Sequence, residues 1–341
     1  MRIDFSPYEL VPVAPLSSRA GGTQARIGAL IRVHHEVPAS IGYADCFPWP
    51  EIGDAPLFEQ LKRLALGAPT ALGARALTFS RVDAQARARG ESLFRNLRVP
   101  ESHAFAGTRI EDALHPKSLA QCADAGFRML KLKVGRDPGS EAKQLLGSAS
   151  ALREHGLRLR LDLNCSLDAP KARLFFEEIE PLADRVDFIE DPLQGSVEEW
   201  RTLRSQTSIS LAWDRPQAIG GEFLKVEGKV FADVLVIKPA VQDPFKAPAQ
   251  TSLRVVITSY LDHPLGIMHA AWAAGVRNGN EALPLDPICG LLSQRAYEPI
   301  GAIAPFIAAW NPKGPGFVPP SGTGAGFDEI LTDLHWKRII S

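Results

Sequence analysis

The sequence predicts an α/β protein in which a (β/α)8-type barrel carries an α+β capping domain. From about residue 129 onward, short β-branched or leucine-rich runs alternate with longer amphipathic stretches, which is the pattern of repeated βα units on a parallel sheet. The polar residues that end six of these runs are 21 to 29 residues apart, the length of one strand plus one helix. The first hundred residues lack that alternation and mix strand-like with helix-like segments.

Eight strands are expected in the barrel. Six follow from the period just described, and one weaker strand on each side of them brings the number to eight, which favours a barrel over an open sheet. A barrel of this kind places its functional residues at the carboxyl ends of the strands. The expected strands are 102–106, 129–134, 157–163, 186–190, 208–214, 233–238, 253–258 and 281–285.

The capping domain is expected to consist of residues 1–100 joined by the C-terminal tail 305–341, while residues 101–304 form the barrel. Pro and Gly are so frequent in 312–326 that this stretch must be irregular. Phe-Pro-Trp-Pro at 47–50 is expected in a loop that closes over the barrel mouth and excludes water, the alternative being packing within the cap. Apolar spacing in the cap predicts strands 27–33 and 41–46 and helices 57–66, 81–94 and 327–340.

Composition excludes several classes of function. The chain is 45% hydrophobic and 23% charged, and its 38 basic and 39 acidic residues leave a net charge of -1, so no overall field favours nucleic acid or an anionic membrane. There is no run of 18 apolar residues and no secretory pattern near residue 1, so we expect a cytoplasmic protein. The four cysteines form no C-x-x-C pair, which argues against a zinc site and a disulfide framework.

Two lysines, Lys131 and Lys133, lie two residues apart in the predicted strand 129–134. Residues i and i+2 of a strand share a face. If the intervening leucines and valine pack on the helices, both ammonium groups point into the space that the sheet encloses, where a lysine is costly unless it is paired or has a function. The alternative is an edge strand with a solvated lysine face.

Three carboxylates end three successive predicted strands: Asp162, Glu190 and Asp214. Neighbouring strands are about 4.8 Å apart, so these groups should converge at one level of the barrel. Converging carboxylates repel one another without a cation, and a hard divalent ion such as Mg²⁺ suits an all-oxygen ligand set better than zinc does. The alternative is that each acid caps the helix that follows it.

A third lysine, Lys238, ends the strand 233–238 and should face Lys133 across the barrel mouth. Lysines on opposite sides of a bound metal suit chemistry at a carbon next to a carboxylate. One cation and the metal stabilise the enediolate charge, and a desolvated lysine of lowered pKa removes the proton. The alternative for Lys238 is a surface lysine that extends its ammonium group into solvent.

These motifs together resemble those of the enolase superfamily, in the branch related to muconate lactonising enzymes. The resemblance rests on Lys131-Leu132-Lys133, Asp162-Leu163-Asn164, Glu190-Asp191-Pro192, Asp214 and Lys238-Pro239. Within that branch the chain most resembles the o-succinylbenzoate synthase family, because of the run Arg160 to Asn164 and Thr-Ser-Tyr-Leu-Asp-His-Pro at 258–264. The resemblance covers nearly the whole chain and implies a modified TIM barrel with a capping domain.

The resemblance implies a Mg²⁺-dependent dehydratase, a carbon–oxygen lyase that converts 2-succinyl-6-hydroxy-2,4-cyclohexadiene-1-carboxylate to o-succinylbenzoate in menaquinone biosynthesis. It implies Asp162, Glu190 and Asp214 as ligands of Mg²⁺, for which Mn²⁺ can substitute. Its expected partner is a small-molecule carboxylate, with neither nucleic acid nor a membrane.

The resemblance also implies a role for each lysine. Lys133 would take the α-proton and then, as its conjugate acid, assist the departing hydroxide. Lys131 would hold Lys133 and lower its pKa, and Lys238 would stabilise the enediolate, with a cation–π contact to the forming ring as one means.

Four further residues are candidates for substrate contacts: Arg160, Asn164, Ser259 and His263. Arg160 either binds a substrate carboxylate in bidentate fashion or pairs with Asp162 or Glu190. His263 either touches substrate from its loop or is merely exposed.

Two departures from the family pattern bear on the function. Arg215 follows Asp214 where the family often has Glu, which changes the surroundings of the ligands. Residues 283–287, Leu-Pro-Leu-Asp-Pro, lack the Asp-x-Asp pattern with which dipeptide epimerases hold an α-amino group. An N-acylamino acid racemase or dipeptide epimerase remains the main alternative, followed by a Schiff-base aldolase and a non-catalytic binding protein.

Overall fold

The computed structural model describes residues 2–16, 24–106, 109–214, 231–246, 253–280 and 285–339. Its strands are β1 (Arg2–Leu10), β2 (Arg26–Glu36), β3 (Ala39–Cys46), β4 (Glu101–Ser102), β5 (Ala104–Phe105), β6 (Met129–Lys133), β7 (Arg158–Asp162), β8 (Val186–Glu190), β9 (Leu211–Trp213), β10 (Val234–Ile237), β11 (Arg254–Ile257), β12 (Ile288–Cys289) and β13 (Lys337–Arg338). Its α-helices are α1 (Leu57–Ala65), α2 (Ala71–Ala88), α3 (Ile110–Ala113), α4 (Pro116–Asp124), α5 (Pro138–Gly147), α6 (Ala149–Glu154), α7 (Ala169–Ile179), α8 (Val197–Ser205), α9 (Pro264–Asn278), α10 (Ala304–Ala309) and α11 (Asp328–Asp333). Within these ranges, every helix is too short or too polar to cross a membrane.

The barrel wall is a seven-stranded parallel sheet in the order β5-β6-β7-β8-β9-β10-β11. A second pair, β12 and β4, joins its two ends. The Gly290 amide donates to the Ile257 carbonyl at 2.8 Å on one side, and the His103 amide donates to the Cys289 carbonyl at 2.8 Å on the other. The expected (β/α)8-type barrel is confirmed, because a strand of the predicted order stands at each of the eight positions.

Successive side chains along the barrel strands point alternately to the two faces of the barrel wall. One set faces the helices and belongs to the main core, as Leu159 and Ile189 do. The other set forms a small apolar cluster inside the barrel, made of Phe188, Ala212, Val234, Val236 and Val256. Both faces are buried, and β10 is wholly apolar, whereas β6, β7 and β8 each contain a polar residue before their last position. Lys133, Asp162 and Glu190 are the last residues of their strands, so their side chains lie at the carboxyl ends.

The cap is built on an antiparallel sheet in the order β13-β1-β2-β3, with α2 against β3. Asp4 and Phe5 of β1 pair with Arg338 and Lys337 of β13, so the C-terminal tail returns to the N-terminal region. Gly42 permits the close approach of α2, because a Cβ there would lie 1.8 Å from the Ser80 carbonyl oxygen.

Several element predictions need correction. Helix α2 begins ten residues before the predicted 81–94, since Thr70 caps it by accepting from the Gly73 amide at 3.1 Å. Residues 327–340 do not form one helix, because the segment after α11 is extended and pairs with β1.

The N-terminal and last barrel strands also differ from expectation. β1 was not predicted. The eighth barrel strand is β12, after Pro287, whose missing N–H cannot contribute to a ladder. Residues 281–284 of the predicted strand 281–285, like Arg215, lie outside the described residues.

Candidate active site

The strand register brings the predicted charged residues to one edge of the barrel. Lys133 pairs with Asp162, and Asp162 pairs with Glu190 on the next strand. Asp214 follows β9 directly, and Lys238 follows β10. A small cavity of about 50 Å³ opens at this edge, lined by His103, Phe105, Lys131, Lys133, Asp162, Lys238, Thr258, Ser259, Leu261, Gly290, Leu292 and Ser293.

The three lysines are paired with the three carboxylates. Lys131 Nζ lies 2.6 Å from Glu190 Oε2 and 3.1 Å from Asp162 Oδ2. Lys133 Nζ lies 3.0 Å from the same Asp162 oxygen, and Lys238 Nζ bonds to the Asp214 carboxylate. The side chain of Lys131 is 9% exposed and that of Lys238 is 18% exposed. A solvated edge strand and a solvent-directed Lys238 are therefore both excluded.

Helix capping does not account for Asp162 or Glu190. Asp168 caps α7 by accepting from the Lys171 amide, and Ser196 caps α8 in a capping box with Glu199. The two acids end their strands well before these caps, so their carboxylates are available to the barrel interior.

The turns after β7 and β8 hold the acids by unusual backbone geometry. Asn164 and Asp191 have φ values of 49° and 46°, in the left-handed region that non-glycine residues seldom adopt. The Asn164 amide donates to Asp162 Oδ1 at 3.1 Å, and the Asp214 amide donates to Asp191 Oδ1 at 3.0 Å. Asn164 thus acts on Asp162 through its backbone, and its side chain is not among those that line the cavity.

Lys131 and Lys133 differ in their tendency to lose a proton. Burial opposes the charge of Lys131, but the Asp162 and Glu190 carboxylates outweigh it and raise its pKa above 10.5. Burial lowers the pKa of Lys133 below 10.5; Asp162 opposes this shift, and the neighbouring Lys131 ammonium adds to it. Burial opposes the charge of Asp162, but the three lysines lower its pKa.

The donor set of this edge fits a hard divalent cation. Asp162, Glu190 and Asp214 offer only carboxylate oxygens, are at most 6% exposed, and are each paired with an ammonium group. Among the described residues, no three acidic, histidine or cysteine side chains are placed to hold one ion together. The carboxylates contact the lysine ammonium groups instead, so a divalent cation would replace ammonium contacts that these oxygens already make.

Two of the four candidate substrate contacts, Ser259 and His263, have different surroundings. Ser259 lines the cavity, and its hydroxyl lies 2.6 Å from that of Ser293. His263 is 1% exposed, and its Nδ1 accepts from the Leu265 amide at 3.1 Å to cap α9. The ring packs between Tyr8 and Phe306. His263 is thus neither exposed nor part of the cavity lining.

Arg160 is fully buried and belongs to neither of its two expected arrangements. Its Nε donates to Asp187 at 2.8 Å, and its Nη2 donates to Asp286 at 3.2 Å. Its Nη1 donates to the Ile288 carbonyl at 2.8 Å and lies 3.2 Å from His103 Nδ1. The guanidinium is held inside the barrel, beside Lys131 in the register but outside the cavity lining.

Sequence reasoning missed His103, Thr258 and Ser293 as cavity residues. His103 lies within the predicted strand 102–106, and asking which of its residues faces inward could have selected it. Ser293 lies beyond the last strand, in a segment without a periodic pattern, so no sequence signal marked it.

The aromatic loop at 47–50 lies at the boundary between cap and barrel. Phe47 and Trp49 are buried, and Trp49 Nε1 donates to the Tyr260 carbonyl at 3.0 Å, just past β11. Tyr260 Oη in turn donates to Asp54 at 2.9 Å. The loop therefore ties the cap to the barrel mouth.

Comparisons with known proteins agree with this geometry. Residues 3–86 match the family model described as O-succinylbenzoate synthase, N-terminal domain, and residues 116–239 match Enolase C-terminal domain-like. The chain is 32% identical over 355 residues to an o-succinylbenzoate synthase of Bdellovibrio bacteriovorus, with 99% of each chain covered.

Solved structures of lower identity share the fold. A dipeptide epimerase from Cytophaga hutchinsonii, complexed with Mg and dipeptide D-Ala-L-Val, has a TM-score of 0.73 at 17% identity, with 99% of each chain covered. An N-succinyl Arg/Lys racemase from Bacillus cereus has a TM-score of 0.72 at 15% identity, also with 99% of each covered.

Proposed function

The chain belongs to the o-succinylbenzoate synthase family within the enolase superfamily and is a lyase, and from this premise we propose that it is a Mg²⁺-dependent dehydratase. Its proposed substrate is 2-succinyl-6-hydroxy-2,4-cyclohexadiene-1-carboxylate, and its products are o-succinylbenzoate and water, a step of menaquinone biosynthesis. The observation that carries the proposal is the cavity in which Lys131 and Lys133 meet Asp162 with oppositely shifted pKa values.

The proposed reaction needs one group that can both accept and donate a proton. Lys133 Nζ takes the proton from the carbon that carries the carboxylate, and the electron pair moves into that carboxylate as an enediolate. The enediolate then collapses and expels the hydroxyl group from the adjacent carbon. The departing hydroxyl receives the same proton from Lys133 and leaves as water. The lowered pKa of Lys133 favours the neutral amine that the first transfer requires.

Lys131 and Lys238 remain cationic in this scheme. Lys131 is kept charged by Asp162 and Glu190, and its charge next to Lys133 disfavours a second ammonium there. Lys238 lines the cavity from β10 and offers a positive charge to the developing enediolate. A divalent cation held by Asp162, Glu190 and Asp214 would supply further positive charge to the substrate carboxylate.

The proposal is tested by following o-succinylbenzoate formation with the purified protein and Mg²⁺. Lys133→Ala should lower kcat by about 10²-fold or more, because it removes the general base and acid. Lys171→Ala is the matched control, since that lysine is 67% exposed on α7 and should leave the rate unchanged. No product from the native protein would refute the function, and an undiminished rate in Lys133→Ala would remove Lys133 as the base.

The same assay separates the dehydratase from a Schiff-base aldolase. Chelation with EDTA should abolish product formation and added Mg²⁺ should restore it. Activity that survives EDTA, together with trapping of the enzyme by borohydride and substrate, would favour a lysine nucleophile instead.

A racemase or epimerase is the second candidate, because Lys133 and Lys238 line one cavity from different strands. Against the dipeptide reaction, Asp286 is committed to Arg160, to Arg254 and to the Ile288 amide, so its carboxylate is not free to hold an α-amino group. N-succinylamino acids in D₂O provide the test. Racemisation with α-proton exchange at an efficiency comparable to dehydration would show that dehydration is not the sole function.

A further inference from the structure

His103 lies between β4 and β5, and the proposed reaction gives it no role. Its side chain lines the same cavity as Lys131 and Lys133, and the residue is 5% exposed. It belongs to the first strand position of the barrel, with Thr258 and Gly290 at the seventh and eighth. The three carboxylates end or follow the third, fourth and fifth strands, so His103 lies two to four strand positions away from them.

Arg160 determines which nitrogen of His103 carries the proton. Arg160 Nη1 lies 3.2 Å from His103 Nδ1, and a guanidinium can only donate. Nδ1 must therefore accept, which leaves the ring proton on Nε2. Asp187, Asp286 and the Ile288 carbonyl hold the guanidinium in place, so the tautomer is fixed by a rigid network.

The imidazole is also neutral. Burial lowers the pKa of His103 well below 6.5, and the charges of Arg160 and Lys131 lower it further. Among the described residues, the hydrogen bond of the His103 ring is the one at Nδ1, and none involves Nε2. The cavity thus contains a neutral N–H donor of fixed orientation without a protein partner.

Gly290 permits the close approach of the His103 ring. A Cβ at position 290 would lie 2.6 Å from His103 Cε1 and 2.8 Å from Nε2. The same Cβ would lie 2.7 Å from Thr258 Cγ2, so both side chains pack directly against Gly290 and a larger residue there would displace them. Thr258 Oγ1 is buried and has no hydrogen-bond partner among the described residues. His103 and Thr258, each with a polar atom that has no hydrogen-bond partner among the described residues, therefore line one cavity, which favours a ligand oxygen there.

We propose that His103 Nε2 and Thr258 Oγ1 form a subsite that binds an oxygen of the substrate's acyl side chain, its ketone or terminal carboxylate, with Arg160 as the positioning residue for His103. This inference rests on the proposed function for the identity of the substrate. The ring carboxylate would be held near the acids of the third to fifth strands, so the subsite determines which acyl side chain the enzyme accepts.

The first test compares the binding of two benzoates in the presence of Mg²⁺ by calorimetry. The probes are o-succinylbenzoate and 2-pentylbenzoate, whose hydrocarbon side chain has no oxygen. His103→Leu should weaken the binding of o-succinylbenzoate about tenfold or more, which is the range of one lost hydrogen bond to a charged or polar group. The affinity for 2-pentylbenzoate should stay within about twofold of the native value. His103→Gln should recover part of the loss, because its amide nitrogen can reach the position of Nε2.

The matched control is His269→Leu, the same substitution at another buried neutral ring. His269 stacks on Phe79 at 4.6 Å and does not line the cavity. The His269→Leu variant should bind both probes with the affinity of the native protein. Equal weakening of both probes in His103→Leu, or no weakening of either, would overturn the subsite. Absence of dehydratase activity in the native protein would instead refute the proposed function, so the two failures are distinguishable.

The second test addresses Arg160 as a positioning residue. ¹⁵N NMR of the native protein should show His103 as the Nε2–H tautomer at neutral pH. In Arg160→Met that is folded by tryptophan fluorescence, the same resonances should move toward a mixture of tautomers, a change that lower stability of a folded chain would not produce. An Nδ1–H tautomer in the native protein would contradict the assignment.

Discussion

Replacement of Arg160 by methionine should destabilise the protein severely. Arg160 is completely buried and forms ion pairs with Asp187 at 2.8 Å and Asp286 at 3.2 Å. Removing one partner of a buried ion pair costs about 3–5 kcal/mol, because the remaining charge is left without compensation. Arg254 still lies 2.9 Å from Asp187 and 3.3 Å from Asp286, but it is 37% exposed. We therefore expect a loss near the lower limit, about 3 kcal/mol.

The measurement is urea unfolding followed by tryptophan fluorescence. The midpoint should fall in Arg160→Met while the slope stays unchanged, so that the difference reports stability. The combined variant Arg160→Met, Asp187→Asn, Asp286→Asn should recover part of the loss, because it removes both carboxylates that the first change leaves without their partner. If Arg160 binds substrate instead, KM rises while stability changes by less than about 1 kcal/mol, the range of ordinary surface substitutions, and the reasoning from burial is refuted.

Two further predictions concern the cap. Burial opposes the charge of Asp4, but Arg32, His34 and Arg2 donate hydrogen bonds to its carboxylate and lower its pKa from 3.8 to about 2. Ionised Asp4 therefore contributes stability above pH 3.8, and this contribution is lost as the pH falls toward 2. The stability difference between the native protein and Asp4→Asn should be about 2 kcal/mol at neutral pH and shrink toward zero near pH 2 in urea titrations, and a difference independent of pH would contradict the assignment. Gly42→Ala should lower the melting temperature strongly, since its Cβ would meet the Ser80 carbonyl oxygen at 1.8 Å, whereas Gly139→Ala in α5, with nothing within 4 Å, should raise stability by up to about 1 kcal/mol. Equal effects of the two alanines would show that α2 moves away from β3 at little cost.

The barrel and its charged edge were predictable from sequence because both depend on local periodicity. Alternation in Leu159, Arg160, Leu161 and Asp162 determines which side chains point inward, and the spacing of strand ends determines that the inward acids share one level. Parallel pairing with nearly constant register then brings Asp162 beside both Lys133 and Glu190. These inferences depend only on the pairing of neighbouring strands.

Features that depend on closure of the barrel were not predictable. The partners of Arg160 include Asp286, 126 residues away, and this contact exists only once the eighth strand position joins the first. The cap presents the same difficulty, because β13 is two residues long and becomes a strand only by pairing with β1. His263 looked like a loop histidine, yet its ring is buried against Tyr8 of the cap.

The pairing of β13 with β1 also determines the order in which the protein can be completed during synthesis. Residues 337–338 leave the ribosome after every strand of the barrel, whereas β1 to β3 leave first. Until then Asp4 and Phe5 of β1 have no strand on that side, and unpaired strand edges are open to pairing with other chains. The tail covers these two residues only after the barrel has been made, so a chain whose synthesis stops before residue 337 leaves this part of the β1 edge exposed.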